Sequence, residues 1–359
     1  MTMAIVSPMP LAEEVAELAR LIATAADVGA VVALAPDVGK LAVALIDVDA
    51  GAGLVTQVQS ALNEYLTTRI LTLVKPRHRL PAAAWCWLSM GSEGRGEQTF
   101  ATDQDNGLVF SAADHAEARA LRPLFLAMAR EVNAALDACG FPLCKGGIMA
   151  GNEQWCLSVE EWRQHFGNWM LTPEPEALLN ATIFFDFRAQ FGDDRLALEL
   201  RQLLRRQAPQ AAGFLHMMAS NAVAIVPPLG RVRDFVDEQG HRGRVDLKKN
   251  GARLFVDAAR VLALSAGVAA VGTVARLREI GPGRGLNADD LAASVQAFQH
   301  LQRIRLLDQQ RKVAAGQPPD NLIAPDSLNV LDRRVLVESL KQAGRLQRAL
   351  QQTFRLEGI

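Results

Sequence analysis

Two short apolar runs, "AAAWCWLSM" (82–90) and "NGLVF" (106–110), are separated by "GSEGRGEQTFATDQD" (91–105). Glycine is costly inside regular structure and permissive in turns, so the three glycines mark a change of direction rather than one continuous helix. Two strands joined by a glycine-rich turn are expected, and whatever else the chain forms must leave room for a sheet there.

Either side of this feature the pattern is helical. The first 75 residues are rich in Ala, Val and Leu, with Leu11, Val15, Leu18 and Ile22 at helical spacing and a second amphipathic helix over Val58–Leu73. Pro76 and Pro81 bracket "PRHRLP", which cannot continue a helix and reads as a linker. Leu121–Cys139 is again helical, and "FPLCKGGIMAG" (141–151) reads as a turn entering another strand. From Pro173 onward, Leu178–Phe191, Arg195–Arg206, Leu247–Ser265, Asp289–Ala315 and Asp332–Phe354 carry apolar residues three and four apart. A chain of 359 residues exceeds one typical domain. The expected class is therefore α+β: a helical N-terminal segment (1–75), a sheet-containing domain (76–192) and a C-terminal helical bundle (193–359).

Composition narrows the function. A formal net charge of -1 leaves no basic surplus for neutralising phosphates, so nucleic acid is not expected as a partner. The four cysteines, Cys86, Cys139, Cys144 and Cys156, form no C-x-x-C pair and have no ordered histidine partners, so they indicate neither a zinc site nor a disulfide framework. No charged N-terminal region leads into a sustained apolar core, and no uncharged apolar run reaches the roughly 18 residues of a membrane span. The most apolar stretch, Val261–Ala275, is broken by glycine and flanked by Arg260 and Arg276, which fits a buried helix and a turn. A cytoplasmic protein without a membrane partner is expected.

Side chains two apart on a strand share a face, so Asp103 and Asp105 project together. Two carboxylates on one face repel unless a cation lies between them, and hard oxygen ligands suit Mg2+, which also takes phosphate oxygens. Gly91 and Ser92 follow a strand and open a helix whose free amides favour an anion. Arg95 adds a fork of donors for phosphate. A glycine-serine turn followed by paired aspartates is a layout for metal-assisted nucleotidyl transfer.

These residues carry a family resemblance. "GS" followed by "DQD" resembles the signature of the DNA polymerase beta-like nucleotidyltransferase superfamily, and the whole run is similar to domain-of-unknown-function family 294, itself similar to the PII-protein uridylyltransferases. The likeness continues through "GGIMAGNEQW" (146–155), "ATIFFDFR" (181–188) and "DLKKNGARLFVDAARVLAL" (246–264), covering roughly residues 80 to 350. It implies a polymerase-beta-like domain with a small mixed sheet and a helical substrate-binding domain. The 75 residues ahead of them are too few for the cyclic-nucleotide-binding or CBS domains common in the family.

The implied reaction uses Mg2+ held by Asp103 and Asp105 to bind a nucleoside triphosphate, whose alpha phosphorus an acceptor hydroxyl attacks as pyrophosphate leaves. Asp186 is the first candidate for a third catalytic acid and Glu153 its rival. Ser92 and Arg95 are expected on phosphate, and Gln98 and Asn106 either orient ligands or satisfy buried backbone. Lys248 and Lys249 either bind the triphosphate or acceptor or form a solvated helix end. Three classes remain open: a transferase acting on a small regulatory protein, a silent nucleotide-binding regulator, and a transferase acting on a small molecule or an RNA end, of which the near-neutral charge makes RNA the least expected acceptor. The N-terminal helices offer a surface for a homo-oligomer. His216, His241 and His300 share no metal spacing, and "GPGRG" (281–285) lacks the lysine and hydroxyl of a phosphate loop.

Overall fold

Asp27 caps a helix by accepting from the Ala30 amide, and that helix belongs to an antiparallel set at the N-terminus: α1 (Leu11–Thr24), α2 (Val28–Asp47) and α3 (Ala52–Val74). The structure, a computed structural model, describes residues 10–230 and 234–356. The first nine residues of the expected N-terminal segment and the last three of the bundle lie outside it. By length and composition α2 is long and apolar enough to cross a membrane, with mean hydropathy 1.8, although Asp37 and Lys40 interrupt its apolar run. It carries an Asp37–Lys40 ion pair (2.6 Å) and buries Val31, Val38, Leu41 and Leu45 among the helices.

Next come β1 (Trp85–Ser89), the short helix α4 (Gly91–Arg95), β2 (Asn106–Phe110), α5 (His115–Ala138), β3 (Cys156–Ser158), α6 (Val159–Leu171), α7 (Pro175–Phe184) and β4 (Arg188–Gly192). The sheet runs β3-β2-β1-β4, with β1 antiparallel to both neighbours and β2 parallel to β3. It is the small mixed sheet of the expected α+β class. The helix expected over Leu178–Phe191 stops at Phe184. Phe184, Phe185 and Phe187 turn into an aromatic cluster with Phe166 and Trp169, and the chain then pairs with β1 instead of continuing. Apolar spacing alone does not separate these outcomes, because aromatic residues suit both a buried helix and a strand.

Strand alternation gives the sheet two buried faces. Cys86, Leu88, Met90 and Val109 join a core made with α6 to α8 and the C-terminal helices, while Trp85, Trp87, Leu108 and Phe110 join the core under α1, α2, α3 and α5. The remaining elements are α8 (Asp194–Gln207), α9 (Ala212–Ala224), a two-residue strand β5 (Val245–Asp246), a π-helical turn (Lys248–Ala252), α10 (Arg253–Ser265), α11 (Thr273–Glu279), α12 (Ala288–Ala314), β6 (Leu322–Ile323) paired with β5, and α13 (Val330–Phe354). One continuous apolar cluster thus runs from the sheet into α10, α12 and α13.

Candidate active site

The turn out of β1 works only with glycine. Gly91 has φ +55, and a Cβ there would meet the Asp105 Oδ2 at 2.6 Å. At Gly94 a Cβ would lie 2.0 Å from the Asp186 carbonyl oxygen. The two glycines therefore let α4 sit against the carboxylate of Asp105 and the backbone of Asp186. The Met90 amide donates to the Asp105 carbonyl (2.8 Å), which fixes Asp105 across the mouth of the turn.

Ahead of β2, side chains alternate. Gln104 and Asn106 point inward, and Asp103 and Asp105 are left at the surface of the cleft. The Gln104 amide nitrogen donates to the Asn133 (3.0 Å) and Phe141 (2.8 Å) carbonyls, while Asn133 donates to Gln104 (2.8 Å) and Asn106 (3.0 Å). The Ala150 amide donates to the Asn106 side chain (2.8 Å), and the backbone amides of Gln104 and Asn106 reach the Pro142 and Ile148 carbonyls. Buried amides must be paired; these pairs stitch the 141–150 loop alongside 104–106. That stitching brings the Cys144 thiol to the aspartates, so that ligand atoms of Asp103, Asp105 and Cys144 all lie within 4.8 Å of one another.

Electrostatics show what this cluster lacks. Burial, then the Asp103 charge, raises the Asp105 pKa to about 6, against the pull of the Cys144 thiol, Lys248 and Arg95. Burial and the Asp105 charge push Glu93 to about 8. Carboxylates lifted this way are crowded and desolvated, and a divalent cation between Asp103 and Asp105 would remove both costs. The donor set therefore fits a divalent metal.

Asp105 lines a cleft of about 320 Å³, with Asp103 beside it in the cluster. Gly91, Ser92 and Arg95 line one wall, and Lys248, Arg253 and Arg305 from the C-terminal helices line the other. Lys248 sits on the π-helical turn, whose first amides are held by the Asp246 carboxylate (2.9 Å each to Lys248 and Lys249). Sequence reading missed Arg305. It is 5% exposed and bonds the neutral side chains of Asn321 (2.8 Å) and Gln302, and among the described residues it has no carboxylate partner. Burial pulls its pKa down to about 10. Asp246 and Glu97 offset part of that cost from a distance without bonding it, and a buried charge so weakly compensated is set for an anion.

Three candidate site residues are placed elsewhere. Asp186 is fully buried, and both its oxygens are taken: Arg260 Nε (3.0 Å) and Nη2 (2.6 Å), Arg95 Nη1 (2.7 Å), and Arg276 Nη1 at 2.7 Å. Arg276 Nη1 lacks hydrogen-bond alignment there and contributes charge rather than a directed bond. Burial alone would raise the Asp186 pKa, but Arg260, Arg276 and Arg95 hold it well below the usual carboxylate range. Its carboxylate anchors Arg95, which also pairs with Glu97 (2.7 Å), instead of joining the aspartate pair as a third acid. The rival Glu153 is exposed, 3.8 Å from Arg122, and outside the cluster. Gln98 is buried under α3, accepting from Asn63 (3.1 Å) and donating from its backbone to Ser60 (3.2 Å), so it does not line the cleft.

With the cleft described, comparison with known families becomes specific. The family model described as "Putative nucleotidyltransferase DUF294" matches residues 36–176, and "Putative nucleotidyltransferase substrate binding domain" matches residues 212–354. The chain belongs to this nucleotidyltransferase family. No curated protein matches it. The first family match contains the glycine turn, both aspartates and Cys144, and the second contains Lys248, Arg260, Arg276 and Arg305. The cleft thus lies between a nucleotidyltransferase region and a substrate-binding region.

Proposed function

We propose that the protein is a Mg2+-dependent nucleotidyltransferase that moves a nucleoside monophosphate from a nucleoside triphosphate to an acceptor hydroxyl and releases pyrophosphate. The observation that carries this reading is the aspartate pair placed beside a glycine-serine turn, in a cleft whose opposite wall supplies cations. Asp103 and Asp105 would hold the ion, which when bound neutralises charge building on the phosphate oxygens. Ser92 and the free amides of the turn bind phosphate oxygens. Arg95, held in place by Asp186 and Glu97, adds donors in a fixed orientation, so little entropy is lost when the triphosphate is seated. Lys248, Arg253 and Arg305 complete the anion site from the other wall.

Likeness to the PII-protein uridylyltransferases favours a small regulatory protein as acceptor, and a small molecule is the alternative. Signal transduction in the cytoplasm, where nucleoside triphosphates are kept, fits the first choice. The absence of a third carboxylate from the aspartate cluster, among the described residues, favours a second reading: a regulator that binds nucleotide without turning it over. The two part in one experiment. Protein and an Asp103→Asn/Asp105→Asn double variant are incubated with Mg2+ and each labelled triphosphate in cell lysate, and pyrophosphate and label transfer are followed. Transfer by the wild type alone supports the enzyme. Nucleotide binding without pyrophosphate release from either protein refutes the enzyme and leaves the regulator.

A further inference from the structure

Cys144 differs from the other three thiols. Burial pushes Cys86 and Cys156 up to about 12 and Cys139 to about 11, away from the cleft. Cys144 is half-buried, stands beside both aspartates, and belongs to a loop clamped at both ends. The Gln104 amide holds Pro142, and the Asn106 amide holds Ile148. Between the clamps, Cys144-Lys145-Gly146-Gly147 closes a tight turn: the Gly147 amide donates to the Cys144 carbonyl (2.9 Å), with Gly147 at φ +68. Burial and the neighbouring aspartate charges raise the Cys144 pKa as well, and the backbone amides of Ile148 and Gly146 oppose that rise at the sulfur. Such donors stabilise negative charge on sulfur and orient it as a ligand. A magnesium site has no use for sulfur, since Mg2+ takes oxygen in octahedral geometry. One sulfur and two carboxylates with ligand atoms within 4.8 Å of one another, Asp105 among them lining the cleft, instead suit a borderline ion.

We propose that Cys144 is a third, thiolate ligand at the Asp103/Asp105 site, which lets a sulfur-binding divalent ion of the Zn2+ class compete with Mg2+ for the same seat. The inference rests on reading the aspartate pair as a metal site. Binding is a proton-for-metal exchange: the thiol proton passes to solvent, a metal–sulfur bond forms, and no electron is transferred. Zn2+ so held excludes Mg2+ and inhibits turnover.

Co2+, which shares zinc's geometry and is coloured, reports the sulfur directly. Metal-free protein is titrated with Co2+, then with Zn2+ in competition, and separately with Mn2+ followed by calorimetry. The wild type and Cys139→Ser should both develop a thiolate-to-cobalt charge-transfer band in the near ultraviolet that Zn2+ abolishes. Cys144→Ser should lack the band and lose more than about tenfold in Zn2+ affinity, since losing even an outer-shell partner costs roughly 10- to 100-fold. Its Mn2+ affinity should stay within about twofold, because oxygen ligands suffice for that ion. Cys144→Ala repeats the comparison should serine alter the turn, with circular dichroism confirming the fold of each variant. Mn2+ binding without a cobalt–thiolate band in the wild type, or Zn2+ affinity in both Cys144 variants equal to that of the wild type, overturns the sulfur ligand alone. Absence of any metal binding overturns it together with the aspartate site.

Discussion

Replacing Asp105 with asparagine should make the metal-free protein more stable at neutral pH while abolishing activity. The native Asp105 pKa is raised from 3.8 to about 6. Between these values the unfolded chain has lost its proton and the native protein keeps it, so stability falls as pH rises through the window. Above pH 6 the full cost of holding an ionised Asp105 beside Asp103 is present. Two pKa units correspond to about 3 kcal/mol. Asp105 retains some solvent contact, which reduces this to about 1–2 kcal/mol. In chelator at pH 7.5 the variant should therefore melt about 1–3 °C above the wild type, with the gap closing toward pH 4, where both side chains are neutral. Glu93, raised to about 8 by burial and then by the Asp105 charge, keeps only the burial-driven part of its downward slope in the variant, so its change adds to the gap in the same direction. Melting curves by differential scanning fluorimetry in chelator and in Mg2+ decide the matter: Mg2+ should raise the wild type and leave the variant unmoved. A variant less stable than wild type at pH 7.5, or a gap that does not shrink on acidification, would refute this account of the site's electrostatics.

Gly91→Ala should cost about 1–2 kcal/mol of stability from its left-handed backbone, and turnover should be lost altogether because the new Cβ displaces the Asp105 carboxylate; comparing melting with single-turnover rates separates the two. Asp186→Asn should destabilise by about 3–5 kcal/mol, since it leaves Arg95, Arg260 and Arg276 facing one another without their shared counter-charge, and urea unfolding reads this directly. Arg305→Met should leave the unliganded protein as stable as wild type or more so, and should weaken nucleotide binding more than tenfold by calorimetry.

What the sequence reveals about this chain depends on the range of the interaction concerned. The glycine-serine turn and the D-Q-D triplet are local, and the structure brings them face to face. Helices α12 and α13 begin within two residues of the expected positions because Asn287 and Asn329 cap them. In α2 Pro36 falls at an exposed position, where the helix tolerates it, and the uniformly apolar run shows little amphipathic contrast. Asp186 misled, since an acid within an apolar run fits both a ligand and a buried counter-ion, and the choice is made by arginines 74 and 90 residues further along. Signals for these arginines were present. Asp257 and Arg260 stand three apart inside an otherwise apolar helix, and Arg305 falls on the same helical stripe as Phe298 and Leu301. Cys144 offered only the two glycines after it, and its nearness to the aspartates is set by buried amides that spacing does not display.

The arginine-wrapped Asp186 also restricts how the cleft moves. Many transferases close two lobes over their substrate about a hinge. Here a hinge between sheet and helices would have to draw Asp186 and Arg95 away from Arg260 and Arg276, exposing an apolar seam and leaving buried charges without partners. That penalty, about 3–5 kcal/mol for the charges alone, exceeds what a loosely bound substrate returns. The two walls therefore keep their spacing through a reaction cycle, and reactants exchange through the open mouth of the cleft. In such an enzyme selectivity is set by the fixed width between the walls, and changing the acceptor would require reshaping α10 and α12 rather than loosening a lid.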